Sequence, residues 1–501
     1  MRRKKLLSNT ITAFLNQIIT LINGLIVPRL IISHYGSATN GLVSSITQFL
    51  AFFSLMEMGV GGVVRASLYK PLAENDPIAV SRVLISSKRF FTKIGLLLCV
   101  YSVGLMIFFP LAVDDQLGFF STALLVGAIA FSSVTKYMLG TVYQQLLNAD
   151  QRAYVHLSIN ILITVLSTAF SVILIQHDAR IENVKLLAAF IMLLRPLLMK
   201  LYVDRHYDID LRLPLEGEPL TQKWNGLAQH IAQYILKHSD TVVLTLFSSL
   251  ENVSVYYVYH LVTNGLQQIV EISSTGIGAL FGNMYAKNEK ETLQRTFSAV
   301  EWVNHTLVSF LYGVAGVLIL PFVEVYTKGI SDTNYIVPLF SSLMVIANAS
   351  YCLRIPYLSV VNSAGHFKET QASAITEAAL NVVISVLLVS KFGLVGVAFG
   401  TVAAMMYRTI YLSLYLRNNI LFRPFSAFAK HIAVDVLTVA IIVLSTRGIR
   451  MTQPSWIMWC LTAVKVSLIA GCEVLIINLI FYRKLMEQCV LMLFRKKKKT
   501  V

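Results

Sequence analysis

The sequence predicts an all-α polytopic membrane protein of about 14 transmembrane helices, and three observations predict it. Apolar residues make up 56% of the 501, charged residues only 14%, and mean hydropathy is +0.66, outside the mix of soluble domains. Apolar stretches long enough to cross a hydrocarbon core of about 30 Å, roughly 17 to 25 residues each, recur from end to end. These runs are apolar on all sides, without the alternation over about ten residues that marks a barrel strand. No Gly/Ser-rich, Pro-rich or low-complexity segment divides the chain.

The first predicted span is Leu6–Ile32, preceded by Arg2 to Lys5. It is longer than a signal-peptide core, Asn16, Gln17 and Asn23 interrupt it, and no small-residue cleavage site ends it, so it reads as a retained helix. The next five are Gly41–Val64, Ile94–Val113, Leu117–Lys136, Ala153–Gln176 and Val184–Val203. Leu227–Leu250, Val253–Leu280, Phe297–Phe322, Ile336–Leu358, Ala372–Ser390 and Leu394–Leu416 follow. Ile432–Leu444, which is short, and Trp456–Tyr482 close the series. Most Lys and Arg fall in segments that an inside N-terminus places on the cytoplasmic face, so both termini are expected inside. The net charge of +16 is mostly this asymmetry plus the run Arg495 to Lys499, and it favours anionic membrane lipids over nucleic acid as partners.

A weak internal repeat organises the spans. At an offset of 213 to 214 residues, Ala73-x-Asn75-Asp76 with Arg82 recurs as Ala286-x-Asn288-Glu289 with Arg295. In the same register Met192-x-x-Arg195 matches Met405-x-x-Arg408, Ser171-Val172 matches Ser385-Val386, Asn148 matches Asn362, and Glu57 matches Glu271. Two six-helix halves follow, both entering from the cytoplasm. They are expected as lobes related by a pseudo-twofold axis along the membrane normal, residues 1–215 and 216–420, with 421–501 adding two helices and a basic tail. Such a parallel repeat suits alternating access, with substrate at the interface between halves.

Ionisable groups within spans are costly, so they face a bundle interior or a wet cavity, or they snorkel from helix ends. Arg29, Arg195, Arg354 and Arg408 are candidates for holding a phosphate, because a guanidinium grips phosphate bidentately and keeps its charge. Snorkelling to the cytoplasmic interface is the competing reading for Arg195 and Arg408, and a helix-end anchor for Arg354. Lys465 reads as an ion-pair partner in the added pair. Of the acidic residues in spans, Glu57 and Glu271 are candidates for a coupling carboxylate that H⁺ or Na⁺ neutralises, with pairing to an Arg or capping of polar backbone near Gly-rich helix ends as the alternative. Tyr256 and Tyr257 are candidates for a sugar pathway, or else members of an interfacial aromatic belt. The five cysteines lack metal-ligand spacing, Gly59 to Gly62 lacks GK[ST], and the loops carry no nucleophile or metal constellation, so neither a metal, a cofactor nor an enzyme is expected.

Several motifs resemble those of the polysaccharide transporter family, the Wzx-type O-antigen and capsule repeat-unit flippases of the multidrug/oligosaccharidyl-lipid/polysaccharide (MOP) superfamily. Those motifs are Pro28-Arg29-Leu30 with Tyr35-Gly36, Glu57-x-Gly59 with Gly61-Gly62-Val63-Val64-Arg65, Leu147-Asn148-Ala149-Asp150-Gln151-Arg152, Asn362-Ser363-Ala364-Gly365-His366 and Phe392-Gly393-Leu394-Val395-Gly396-Val397-Ala398. The resemblance implies a two-lobed fold in the bacterial cytoplasmic membrane whose central cavity uses cationic groups to hold a lipid pyrophosphate. It implies an undecaprenyl-pyrophosphate-linked oligosaccharide as substrate and a polysaccharide polymerase with its chain-length machinery as partners. A lipid II flippase and a multidrug/cation antiporter of the same superfamily are the alternatives it leaves.

Overall fold

The structure, a computed structural model, describes residues 2–112, 117–214, 227–274 and 276–487. Among these, ten helices are long and apolar enough to cross a membrane, and two of the ten are bent pairs. The protein is a multi-pass membrane protein built from helices. Contacts divide it into two compact units, Met1–Ser254 and Val255–Val501.

The first unit opens with α1 (Arg2–Ala51), which turns at Gly36, where φ is 86°. Only glycine takes that conformation without a Cβ penalty, so the Tyr35-Gly36 motif marks a hairpin between two spans. α2 (Ser54–Glu74), α3 (Pro77–Ala112), α4 (Phe119–Thr135) and α5 (Thr141–Ala149) follow, then α6 (Ala153–Gln176), α7 (Ile181–His206) and α8 (Leu227–Phe247). α4 and α5 are one continuous rod joined by a π-helical turn, Lys136–Gly140. The expected span Gly41–Val64 breaks at Phe52 and Phe53, between α1 and α2. α8 packs on α1 and α2, which carries the first compact unit beyond residue 215.

α1 lies along α6 for its first half, and polar residues zip the two together. Asn9 accepts from the Tyr154 N–H at 2.8 Å, Asn160 donates to Asn16 at 2.7 Å, and Thr168 donates to Asn23 at 2.6 Å. Asn9, Asn16 and Asn23 are seven residues apart, the spacing that keeps one helix face on a parallel neighbour. At the start of the zipper Lys5 pairs with Asp150 at 3.3 Å, and Asp150 also accepts from the Tyr207 hydroxyl at 2.7 Å. Burial, and then that hydrogen bond, raise the Tyr207 phenol above its ordinary value, so it remains a donor.

The second unit holds the rest of α9 (Leu250–Ser273), then α10 (Ile277–Ala286), α11 (Lys290–Tyr326), α12 (Pro338–Leu353) and α13 (Ile355–Ser363). α14 (Phe367–Asn419), α15 (Phe425–Thr446) and α16 (Trp456–Phe481) complete it. α14 is two spans joined at Gly393, φ 52°, and the halves close so tightly that a Cβ on Gly400 would stand 2.8 Å from the Asn381 carbonyl. The Gly393 motif is thus a helical hairpin. The span expected as short, Ile432–Leu444, is a full helix of 22 residues, and both α15 and α16 pack on α11. Lys465 is exposed on α16.

Candidate functional site

The first unit contains a polar cavity among α1, α4, α6 and α7. One compartment, of about 150 Å³, is lined by Arg195, Lys136, Gln144, Asn160, Gly140 and Ile163. A second, of about 250 Å³, adds Asn23, Thr47, Ser167, Ser171 and Lys185. Ser132, Ser133, Thr164 and Met192 line both, so the two are continuous. The π-helical turn widens the α4–α5 rod where it borders this space and presents both Lys136 and Gly140 to it.

Three cations meet the cavity. Lys136 pairs with Glu57 at 2.6 Å. Arg195 receives one weak partner, donating from an η nitrogen to Gln144 at 3.3 Å, while its buried Nε has no hydrogen-bond partner. Lys185 makes no hydrogen bond or ion pair among the described residues. One carboxylate against three cations leaves the space positively charged, and the unspent donors suit an anion with several oxygen acceptors.

In the second unit the predicted residues meet in a closed chain. Glu271 accepts from Gln267 at 2.8 Å and from the Tyr351 hydroxyl at 3.2 Å. Arg354 lies over the Tyr351 ring at 4.4 Å and donates to Glu377. Arg408 stands 3.8 Å from the other Glu377 oxygen, donates to the Thr370 carbonyl at 2.9 Å and also reaches the Ser373 hydroxyl. Arg354, Glu377 and Arg408 are each at most 5% exposed. Their charges are spent on one another and on the backbone.

The structure therefore brings Glu57 and Arg195 to one place and Glu271, Arg354 and Arg408 to another. Arg29 sits half-buried after Pro28 in α1. Tyr256 is buried in α9, stacked on His260 at 5.5 Å and close to Phe340, and Tyr257 beside it is half-buried. Lys136 and Lys185 were not among the sequence candidates. Lys136 ends the expected span Leu117–Lys136 and so looks like an interfacial anchor. Because the helix runs on to Ala149, Lys136 is in fact interior to a rod of 31 residues.

No protein-family model matches the sequence, and no curated protein is significantly similar to it. Solved structures do match in fold. A lipid II flippase, MurJ, in an inward closed conformation aligns with 95% of this chain and 99% of its own at TM-score 0.67 and 14% identity. The chain has the fold of the MOP transporters. An inward-facing MATE-family multidrug resistance transporter of that superfamily aligns with 81% of this chain and 94% of its own, at TM-score 0.62 and 14% identity. The Vibrio cholerae MATE transporter VcmN, in its bent form, aligns with 87% of this chain and 98% of its own, at TM-score 0.55 and 13% identity. These MOP-fold neighbours are two-lobed transporters and flippases, not enzymes.

Proposed function

We propose that this protein flips an undecaprenyl-pyrophosphate-linked oligosaccharide from the inner to the outer leaflet of the bacterial cytoplasmic membrane by alternating access, for capsule, O-antigen or exopolysaccharide synthesis. The observation that carries the proposal is the cavity of the first unit, in which Arg195 and Lys185 keep unspent donors beside Lys136. A pyrophosphate presents several anionic oxygens to such a site, and the hydroxyls of Ser167, Ser171 and Thr47 give a sugar hydrogen-bonding partners in the next compartment. A cationic drug would meet repulsion there, which disfavours the antiporter reading. A lipid II flippase shares the pyrophosphate chemistry and differs in the glycan alone. Coupling to H⁺ or Na⁺ falls, in this proposal, to Glu57 or Glu271.

The test is carried out in cells that depend on this protein for surface polysaccharide. The double variant Arg195→Ala, Lys185→Ala is expected to accumulate lipid-linked oligosaccharide on the cytoplasmic leaflet while its level in membranes stays normal. Normal export by that well-expressed variant overturns the proposal. Loss of peptidoglycan precursor export instead of surface polysaccharide assigns the protein to lipid II.

A further inference from the structure

Away from the cavity and from the Arg354–Glu377–Arg408 chain, the second unit contains a line of titratable groups where α15 and α16 pack on α11. It begins at Tyr482, just past α16, whose hydroxyl meets His431 Nδ1 at 2.8 Å. The other ring nitrogen of His431 lies 3.5 Å from Glu301 Oε2. Oε1 of Glu301 accepts from Arg423 and from the Tyr357 hydroxyl. Tyr357 in turn lies 3.4 Å from His305 Nε2, and His305 Nδ1 meets Asp435 Oδ2 at 2.5 Å. Ser309 donates to Asp435 Oδ1 at 2.6 Å and ends the line. Glu301, His305 and Ser309 are four residues apart on one face of α11, and His431 and Asp435 four apart on α15.

Counting hydrogens restricts what this line can be. Tyr357 donates its only proton to Glu301, so His305 Nε2 must carry a hydrogen to make its contact. The His305–Asp435 contact then holds one shared proton. Arg423 already neutralises Glu301, so the two histidines are not needed as its counter-ions. Glu301 Oε2, in a side chain that is 0% exposed, has no hydrogen-bond partner, which leaves an open acceptor in the middle of the line. The imidazole rings of His305 and His431 are 4.8 Å apart, and imidazole is the group that exchanges protons near neutral pH. A purely structural tie between α11 and α15 requires none of this.

We propose that the line from Tyr482 to Asp435 is a proton-binding site of the second unit, with Asp435 as the place where the added proton rests. The proton comes from water and is taken up at the Asp435 carboxyl itself, whose side chain is 15% exposed, because His305 Nε2 already carries a hydrogen and cannot receive one from Tyr357. It comes to lie on Asp435 Oδ1, whose new O–H turns to the Ser309 oxygen, while Oδ2 accepts from the His305 Nδ1–H. The site gains one positive charge and no bond other than that O–H forms. The groups whose charge bears on it are Glu301 and His305 of α11, Tyr357 of α13, Arg423 ahead of α15, Lys430, His431 and Asp435 of α15 and Tyr482 after α16, with Lys430 lying over the Tyr482 ring at 5.0 Å. α12 sets the Cys352 thiol against Tyr312 of α11, three residues past Ser309. This inference stands apart from the flippase reading, because it concerns protons alone and needs no substrate.

The test is difference infrared spectroscopy of the full-length protein in liposomes between about pH 5 and about pH 8, the range in which histidine-linked sites exchange. A carboxylic-acid carbonyl band should grow on the acid side. It should vanish in Asp435→Asn and persist in Glu57→Gln and Glu271→Gln. In His305→Gln, which removes the neighbouring imidazole and keeps the acid, the band should remain and its midpoint should move by about one pH unit or more. A band that survives in Asp435→Asn overturns the assignment. If Asp435→Asn does not accumulate in membranes, an unmoved midpoint in His305→Gln overturns it instead.

Discussion

Arg195 and Arg408 occupy corresponding places in the two halves of the sequence and meet opposite surroundings. Arg408 is sealed, with Glu377 and Arg354 packed beside it and its hydrogens used on Thr370 and Ser373. At the repeat offset, the positions that answer to Arg354 and Glu377 are Gly140 and Ile163, and both line the cavity next to Arg195. Where the second half places a counter-charge, the first leaves space. The same holds for the carboxylates. Glu57 pairs with Lys136, 79 residues on, whereas Glu271 meets the neutral Tyr351, 80 residues on. A repeated scaffold can therefore seal one arginine among counter-charges and leave its counterpart open to a cavity, and the two residues facing each arginine decide which.

The largest effect expected from this contrast is on stability. Glu377→Gln removes the negative charge shared by two buried guanidinium groups and turns one of its two acceptor oxygens into a donor, and breaking a buried pair in this way costs about 3 to 5 kcal/mol. The variant's melting temperature and its level in membranes should both fall. Ile163→Gln, at the matching place in the first unit, faces a polar cavity and should leave both close to the parent's. Equal losses in the two variants would erase the distinction between a sealed and an open arginine.

Next in size is the conversion of one surrounding into the other. Ile163→Glu gives Arg195 the carboxylate that Arg408 has. Arg195 should then spend its donors internally, and affinity for a polyprenyl pyrophosphate should drop about tenfold to a hundredfold, the worth of a charged hydrogen bond. Unchanged affinity in a stable Ile163→Glu protein would remove Arg195 from the anion site. Smaller again is Glu57→Gln. It releases Lys136 from a partly exposed pair worth up to about 1 kcal/mol, so anion affinity should rise by no more than about fivefold. Glu271→Gln, which touches neutral donors alone, should leave anion affinity where it was.

Much of the fold is legible in the sequence because bilayer thickness imposes it. Ala153–Gln176 matches its helix at both ends, since loop residues bound the apolar run on either side. α3 is different. It begins at Pro77, far ahead of the expected Ile94, because Ser81, Ser86, Ser87 and Lys88 end the apolar run without ending the helix. Hydropathy reads the edge of the bilayer, not the edge of the hydrogen-bonded ladder. The hairpins were legible as motifs without their cause, which is the positive φ of Gly36 and Gly393. Asn16 and Asn23, which look like interruptions of an apolar helix, are rungs of its zipper to α6.

The candidate site was legible in part. Arg195 and Glu57 stand out through the repeat, whereas Lys185 and Lys136 are hidden at the ends of predicted spans, where a basic residue reads as an anchor. Their recognition needs the π-helical turn and the packing of α1, α4, α6 and α7, which no local pattern encodes. The line through Glu301, His305, His431 and Asp435 does leave a local signal, acid and imidazole at four-residue spacing on two helices. Its closure depends on contacts about 130 residues apart.

The comparison between the two arginines is tested most directly by equilibrium binding of a polyprenyl pyrophosphate to the purified protein in nanodiscs, with melting temperature measured on the same samples. Arg195→Ala should lower affinity about tenfold to a hundredfold and leave melting near that of the parent, and Arg195→Lys should fall between them. Arg408→Ala should lower melting and leave the affinity of the folded fraction intact. The reverse pattern, with binding lost in a stable Arg408→Ala and retained in Arg195→Ala, would contradict the account.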